Sequence, residues 1–267
     1  MQYFSIVIFS VVQAITEFVP ISSSGHLVIL HNILPQISIN DLAFDVFLHA
    51  GTISSVIIFF AADIKKMIKA FYQSLIGHGL NEDGRLAWLI VLATVPAAVA
   101  GYFFGDLIEY RLRSIMVVAV MLILVGLFFL VVEKFAKQTD DLRNLNWRSS
   151  LAVGCSQALA LIPGTSRSGI TIASGMIFNL KREAALRFSF LLSIPIILGA
   201  NIKKIIPMYG TITGSEAPVF MLGFLTSAFC GYFVIKYLIR FVKNNSLKVF
   251  AYYRFVLAAI LLLVYYL

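Results

Sequence analysis

Glu17, Ser22, Ser23, Ser24 and His26 fall between residues 17 and 26, and Thr165, Ser166, Arg167 and Ser168 between 165 and 168, in a chain that is otherwise strongly apolar. Such side chains cost free energy inside a bilayer, so their presence there points to function. The Ser22-Ser23-Ser24-Gly25 turn leads into an apolar run. It would place hydroxyls and free backbone N–H groups at a helix N-terminus, where an anion binds well. Thr165-Ser166-Arg167-Ser168-Gly169 repeats the device and adds a guanidinium, whose planar fork can grip two phosphate oxygens. A buried Arg167 needs a counter-charge. Glu17 can supply it at rest, and a phosphate when ligand is bound.

The two segments match. Gln13-Ala14-Ile15-Thr16-Glu17 through His26 aligns without a gap on Gln157-Ala158-Leu159-Ala160-Leu161 through Ile170, at an offset of 144. Gln13 pairs with Gln157, Ser22 with Ser166, Ser24 with Ser168 and Gly25 with Gly169. Charge is where they differ, with Glu17 and His26 in one copy and Arg167 in the other.

Each polar break interrupts an apolar stretch too short on either side to span a membrane. Tyr3–Val19 and Leu27–Ile33 flank the first, Leu151–Ile162 and Ile170–Leu180 the second. Leu42–Ala61, Leu86–Gly105, Ile115–Glu133, Ala184–Ile202, Val219–Ile239 and Phe250–Leu267 read as full spans. Sixty per cent of the residues are hydrophobic, 13% are charged, and the mean hydropathy is +0.92. Soluble domains are roughly 45–50% apolar and about 25% charged. The expected fold is an all-α polytopic membrane protein, a single integral domain over residues 1–267. It divides into an inverted-topology repeat, about 1–134 and 148–267, each half a re-entrant helix hairpin plus three transmembrane helices. Gly101-Tyr102-Phe103 recurs as Gly231-Tyr232-Phe233 at an offset of 130, so the linker Gln73–Arg85 is expected to be longer than its counterpart.

If each broken pair returns to its own side, 16 of the 21 basic residues, Arg254 among them, share one face. Only Arg111, Arg113, Lys203 and Lys204 lie on the other, and Arg167 is in the membrane. The positive-inside rule makes the basic face cytoplasmic, with Asp140 inside and Tyr209 outside. The mouth of the first hairpin then faces outward. The net charge of +8 is accounted for by inner loops that meet anionic lipid, with no nucleic-acid partner. Met1 leads straight into an apolar run, so no cleavable signal is expected. Cys155 and Cys230 lie in apolar stretches as small hydrophobes. His49 reads as packed or pore-lining, and Asp41 and Asp45 as acids at the outer start of a span. Bland readings stand beside these: serine turns that bond freed backbone, a Glu–Arg structural lock, a helix-bridging His26. Their convergence on two matched breaks favours a site.

Glu17-Phe18-Val19-Pro20-Ile21-Ser22-Ser23-Ser24-Gly25-His26-Leu27 and Pro163-Gly164-Thr165-Ser166-Arg167-Ser168-Gly169-Ile170-Thr171 resemble the two signature motifs of the bacterial undecaprenyl-diphosphate phosphatases of the bacitracin-resistance type. The likeness runs through the whole chain, including Phe44-Asp45, Gly51-Thr52 and Phe188-Ser189-Phe190-Leu191. It implies a multi-pass protein of the bacterial inner membrane that removes the terminal phosphate of undecaprenyl diphosphate, releasing the monophosphate carrier for cell-wall synthesis. Catalytic roles fall on Glu17, Ser23, His26 and Arg167. Substrate contacts fall on Gln13, Ser22, Ser24, Gly25, Thr165, Ser166, Ser168, Gly169 and Thr171. The family's acidic motif lands on Gln13 and Glu17; with Gln in the first place, Glu17 carries the acid chemistry alone. Divalent metal dependence is implied, usually Mg²⁺, with Glu17 as its ligand and other divalent cations open. The implied partners are a polyprenyl diphosphate and membrane lipids, with a homodimer open.

The corresponding mechanism has Ser23 attack phosphorus, activated by His26 or Glu17, while Arg167 and the turn amides stabilise charge. The rival makes His26 the nucleophile and Ser23 a phosphate ligand. A different class, a transporter or flippase for a phosphate-bearing lipid or solute, also fits inverted repeats with broken helices. It does not need a nucleophile beside a carboxylate and an arginine.

Overall fold

The computed structural model describes residues 2–34, 41–206 and 216–266; Tyr209 lies outside them. Eleven α-helices run in chain order: α1 Gln2–Phe18, α2 Ser23–Ile33, α3 Asp41–Phe59, α4 Ala61–Leu75, α5 Glu82–Leu112, α6 Ile115–Phe135, α7 Trp147–Ala158, α8 Arg167–Ile177, α9 Arg182–Ile205, α10 Ala217–Asn244 and α11 Lys248–Tyr266. Among the described residues there is no strand. Five helices, α5, α6, α9, α10 and α11, are long and apolar enough to cross a membrane, and the α3–α4 pair, bent by 79°, makes a sixth candidate. The chain is an all-α polytopic membrane protein.

Leu42–Ala61 was expected to be one full span, with a linker at Gln73–Arg85. Instead the chain turns sharply at Phe60, and a further helix, α4, runs over Ala61–Leu75 and reaches only the start of that linker. Its apolar residues recur three and four apart among lysines and a carboxylate, which suits an interface rather than a bilayer core.

Helices from the first part of the chain pack on helices from the second. α1 packs along α10 and α7 along α5, while α6 packs on α11 and α3 on α9. Small residues permit the closest approaches. A Cβ on Gly51 of α3 would collide with the Phe224 carbonyl of α10, and one on Gly154 of α7 with the Ala93 carbonyl of α5.

Ion pairs tie the loops at one end of the bundle. Glu133, at the end of α6, accepts from Arg182 Nε at 2.8 Å and from the Leu247 backbone N–H at 2.7 Å. Nearby elements are joined by Arg187–Asp63, Arg143–Glu82 and Lys181–Asp141 pairs. Asp140 bonds through its backbone to Asn179 and Lys181, so the α7–α8 pair starts and finishes at this end. α3 runs away from it by about 28 Å, at 1.5 Å per residue. At its far end Asp45 meets His31 of α2 at 3.4 Å. The α1–α2 pair therefore opens at the end opposite α7–α8.

Candidate active site

Both breaks are built on a serine in a backbone conformation that serine rarely adopts. Ser22 has φ 78° and ψ 95°; Ser166 has φ 68° and ψ 107°. Each caps the following helix. Ser22 Oγ accepts from Gly25 N–H at 3.4 Å, and Ser166 Oγ accepts from Gly169 N–H at 3.2 Å. Each hydroxyl also meets the serine two residues on, Ser24 at 3.3 Å and Ser168 at 3.2 Å. A non-glycine residue at positive φ costs on the order of 1–3 kcal/mol and persists only where its surroundings enforce it. The strain turns the chain so that the next residues, Ser23 and Arg167, begin their helices facing one another's break.

Glu17 is where the two hairpins meet chemically. Its Oε1 accepts from Arg167 Nη2 at 2.9 Å, across 150 residues of sequence. Its Oε2 accepts from Ser23 Oγ at 2.9 Å and from Gln13 Nε2 at 3.2 Å. The carboxylate is 7% exposed and the guanidinium 13%, so the pair is weakly screened by water. Arg167 Nη1 donates to the Ser189 carbonyl at 3.2 Å. Thr171 Oγ1 donates toward the Arg167 and Ser168 carbonyls and lies 2.7 Å from Ser189 Oγ. Thr171 is thus a buried brace for the Arg167 turn, and its hydroxyl is not presented to a ligand.

His26 stands apart from the Ser23–Glu17 bond. Its Nδ1 lies 2.7 Å from the Ser22 carbonyl, which can only accept, so that nitrogen carries the proton. Its Nε2 then accepts from the Tyr253 hydroxyl at 2.7 Å in the neutral ring, and the two rings stack with centroids 5.8 Å apart. Solvent reaches Ser23, Ser24, His26, Arg167 and His49. Gln13, Ser22, Gly25, Thr165, Ser166, Ser168, Gly169 and Thr171 are buried beneath them and shape the turns.

Two residues join the site that the sequence reading had placed elsewhere. His49 Nδ1 is 3.1 Å from Gln13 Nε2 and 3.5 Å from Glu17 Oε2, making it part of the carboxylate's surroundings. A histidine in the middle of a mostly apolar helix was the available signal. Arg254, expected on the basic face, is fully buried at the centre of the fold on α11. That leaves fifteen basic residues for the face. Its guanidinium donates to five carbonyls, those of Pro20, Met121, Leu122, Gly164 and Thr165. It thereby holds both breaks. No charge partner or repeat in the sequence marks it, because backbone carbonyls leave no trace in residue types.

Gln13 Oε1 and Thr165 Oγ1 are buried without hydrogen-bond partners, as is the whole amide of Gln157, the counterpart of Gln13. Among the described residues no three His, Cys, Asp or Glu side chains are placed to share a metal ion.

The model of the family described as bacitracin resistance protein BacA matches residues 6–260. The chain belongs to that family. Relatives carrying the printed name undecaprenyl-diphosphatase include one from Rubrobacter xylanophilus, 45% identical over 258 residues and 95% of each chain. Another, from Teredinibacter turnerae, is 39% identical over 261 residues and 98% of each chain. A third, from Caldicellulosiruptor bescii, is 38% identical over 270 residues, covering 99% of this chain and 98% of its own. Membership of the BacA family agrees with the resemblance carried by the two signature segments.

Proposed function

We propose that this protein hydrolyses undecaprenyl diphosphate to undecaprenyl phosphate and inorganic phosphate, recycling the carrier lipid for peptidoglycan synthesis. The observation that carries the reading is the Ser23–Glu17–Arg167 chain. A hydroxyl bonded to a carboxylate sits beside a guanidinium that retains N–H groups for a phosphate. In the reaction Ser23 Oγ bonds to the terminal phosphorus as the bond from phosphorus to the bridging oxygen breaks. The hydroxyl proton passes to Glu17, and the electron pair leaves on the bridging oxygen as undecaprenyl phosphate. Water then attacks the same phosphorus. The proton on Glu17 returns to Ser23 Oγ as it departs, and inorganic phosphate is released. Arg167 stabilises charge on the transferring group, which is where most of the rate arises in such reactions.

The alternative nucleophile, His26, is disfavoured because the Ser22 carbonyl and Tyr253 hydroxyl engage both ring nitrogens. A divalent cation, Mg²⁺ by preference, suits the donors present. Glu17 and the orphaned Gln13 Oε1 are hard oxygens that would hold it with phosphate oxygens, and it would neutralise charge on the diphosphate. The two halves act as an inverted repeat whose hairpin tips meet at mid-depth, with the site opening outward from a bacterial inner membrane. The fifteen basic residues at the opposite end support that orientation.

Purified protein in detergent should release phosphate from prenyl diphosphates, stop when a chelator is added, and be silent as Ser23→Ala. Lipid movement across vesicles without any phosphate release would make the protein a carrier instead.

A further inference from the structure

The amphipathic helix α4 borders an apolar groove apart from the catalytic centre. α4 packs on α5, and residues of α4, α5 and α9 line a groove of about 360 Å³. Ile64, Met67, Ile68 and Phe71 supply one wall at helical spacing, and Ile90 and Leu191 face them. Ile68 and Tyr72 are more than half exposed, so the groove is open to its surroundings.

The rim is cationic. Lys65 and Lys69 are exposed, and each follows a groove residue, Ile64 or Ile68, by one position. One residue is about 100° of helix, which places both lysines at the edge of the apolar face. Arg187 sits one turn before Leu191 on α9. Its Nη2 pairs with Asp63 of α4 at 2.9 Å and its guanidinium lies over the Phe60 ring at 5.8 Å. Its Nε is buried and has no acceptor. A guanidinium N–H left in that state calls for one, and a phosphate oxygen is the partner that arginine takes most readily.

We propose that this groove is a specific site for an anionic phospholipid, one acyl chain lying between α4, α5 and α9. The headgroup phosphate is held by Lys65, Lys69 and Arg187. Charge complementarity selects the occupant: an apolar trough with two lysines along one edge and Arg187 at its end matches a single chain with an anionic head. The site stands independently of the proposed reaction.

The chain contains two tryptophans, and Trp88 packs at a tilt against the groove residue Phe71 with centroids 4.7 Å apart. Trp147→Phe therefore leaves a single fluorescent reporter beside the groove. Detergent-solubilised protein would be titrated with acyl-brominated phosphatidylglycerol or acyl-brominated phosphatidylcholine. The anionic phosphatidylglycerol should quench Trp88 at the lower mole fraction. Lys65→Gln and Lys69→Gln should each weaken that preference by about fivefold, the value of one basic residue at an anionic lipid surface. Catalytic turnover of either variant should be unchanged, which serves as the folding control. Equal quenching by the two lipids would overturn the proposal, as would a preference that survives loss of both lysines. Displacement of the brominated lipid by a prenyl phosphate, but not by unbrominated phosphatidylglycerol, would also overturn it by assigning the groove to another lipid.

Discussion

Arg254 Nη2 donates to the Gly164 carbonyl at 2.9 Å, joining the last helix to the second hairpin break. The same guanidinium reaches Pro20 in the first break at 3.3 Å through Nη1. Gly164 itself has φ +92°, and a Cβ there would lie 2.6 Å from the Val118 carbonyl, so the break accepts no larger residue without moving. The relative position of Ser23 and Arg167 therefore depends on a residue on α11.

Arg254→Lys keeps the charge and loses the fork. Lysine's single ammonium cannot reach the carbonyls of both breaks at once, and those of Pro20, Gly164 and Thr165, unlike those of Met121 and Leu122 inside α6, have no helical partner, so at least one is left buried and unpaired. Each unsatisfied group costs about 1–3 kcal/mol. We expect a clearly lowered melting temperature in detergent and turnover reduced by about tenfold or more at that scale of misplacement. A variant with native melting and native turnover would show that the hairpins hold their register without it.

Much of the site was legible because the bilayer makes polar residues conspicuous. Ser22, Ser166, Glu17 and Arg167 stood out as costs that needed a reason, and the Glu17–Arg167 pairing followed from charge alone. Arg254 was misplaced because its partners are carbonyls contributed by Pro20, Gly164 and their neighbours. α4 was missed for a different reason. Its lysines read as loop charge until the 79° bend at Phe60 gives them a surface to lie on. The family's acidic motif marked Gln13 and Glu17, yet only folding brings His49 against both.

Thr171 braces Arg167 through Ser189. Thr171→Val preserves shape and removes the hydroxyl, leaving the Ser189 hydroxyl short of an acceptor and the turn carbonyls short of a donor. The expected loss is about tenfold in kcat/KM, the size of one net hydrogen bond of about 1.4 kcal/mol. Thr171→Ser should restore most of it. If valine matches wild type, Arg167 is held by Glu17 and the Ser189 carbonyl alone.

Arg167→Lys tests whether the guanidinium fork is required. Lysine can pair with Glu17 but cannot hold Glu17, the Ser189 carbonyl and a phosphate together. Turnover should fall by about 10²–10³-fold, as for loss of a preorganised charge-stabilising donor. The melting temperature should change little. Near-normal turnover would reduce Arg167 to a structural ion pair.

Orientation is tested by cysteines at Thr139 and Arg111, both exposed and at opposite ends of the bundle, on a background lacking Cys155 and Cys230. An impermeant thiol reagent applied to intact cells should label Arg111→Cys and spare Thr139→Cys. The reverse pattern would turn the catalytic mouth inward.

The central claim is that Ser23, activated by Glu17, becomes covalently phosphorylated. The most direct measurement is the chemical stability of the phosphoenzyme trapped by rapid quench from a substrate labelled in its terminal phosphate. The account predicts a label that survives acid, is released by base, and maps to Ser23. An acid-labile, base-stable label on His26 would contradict it.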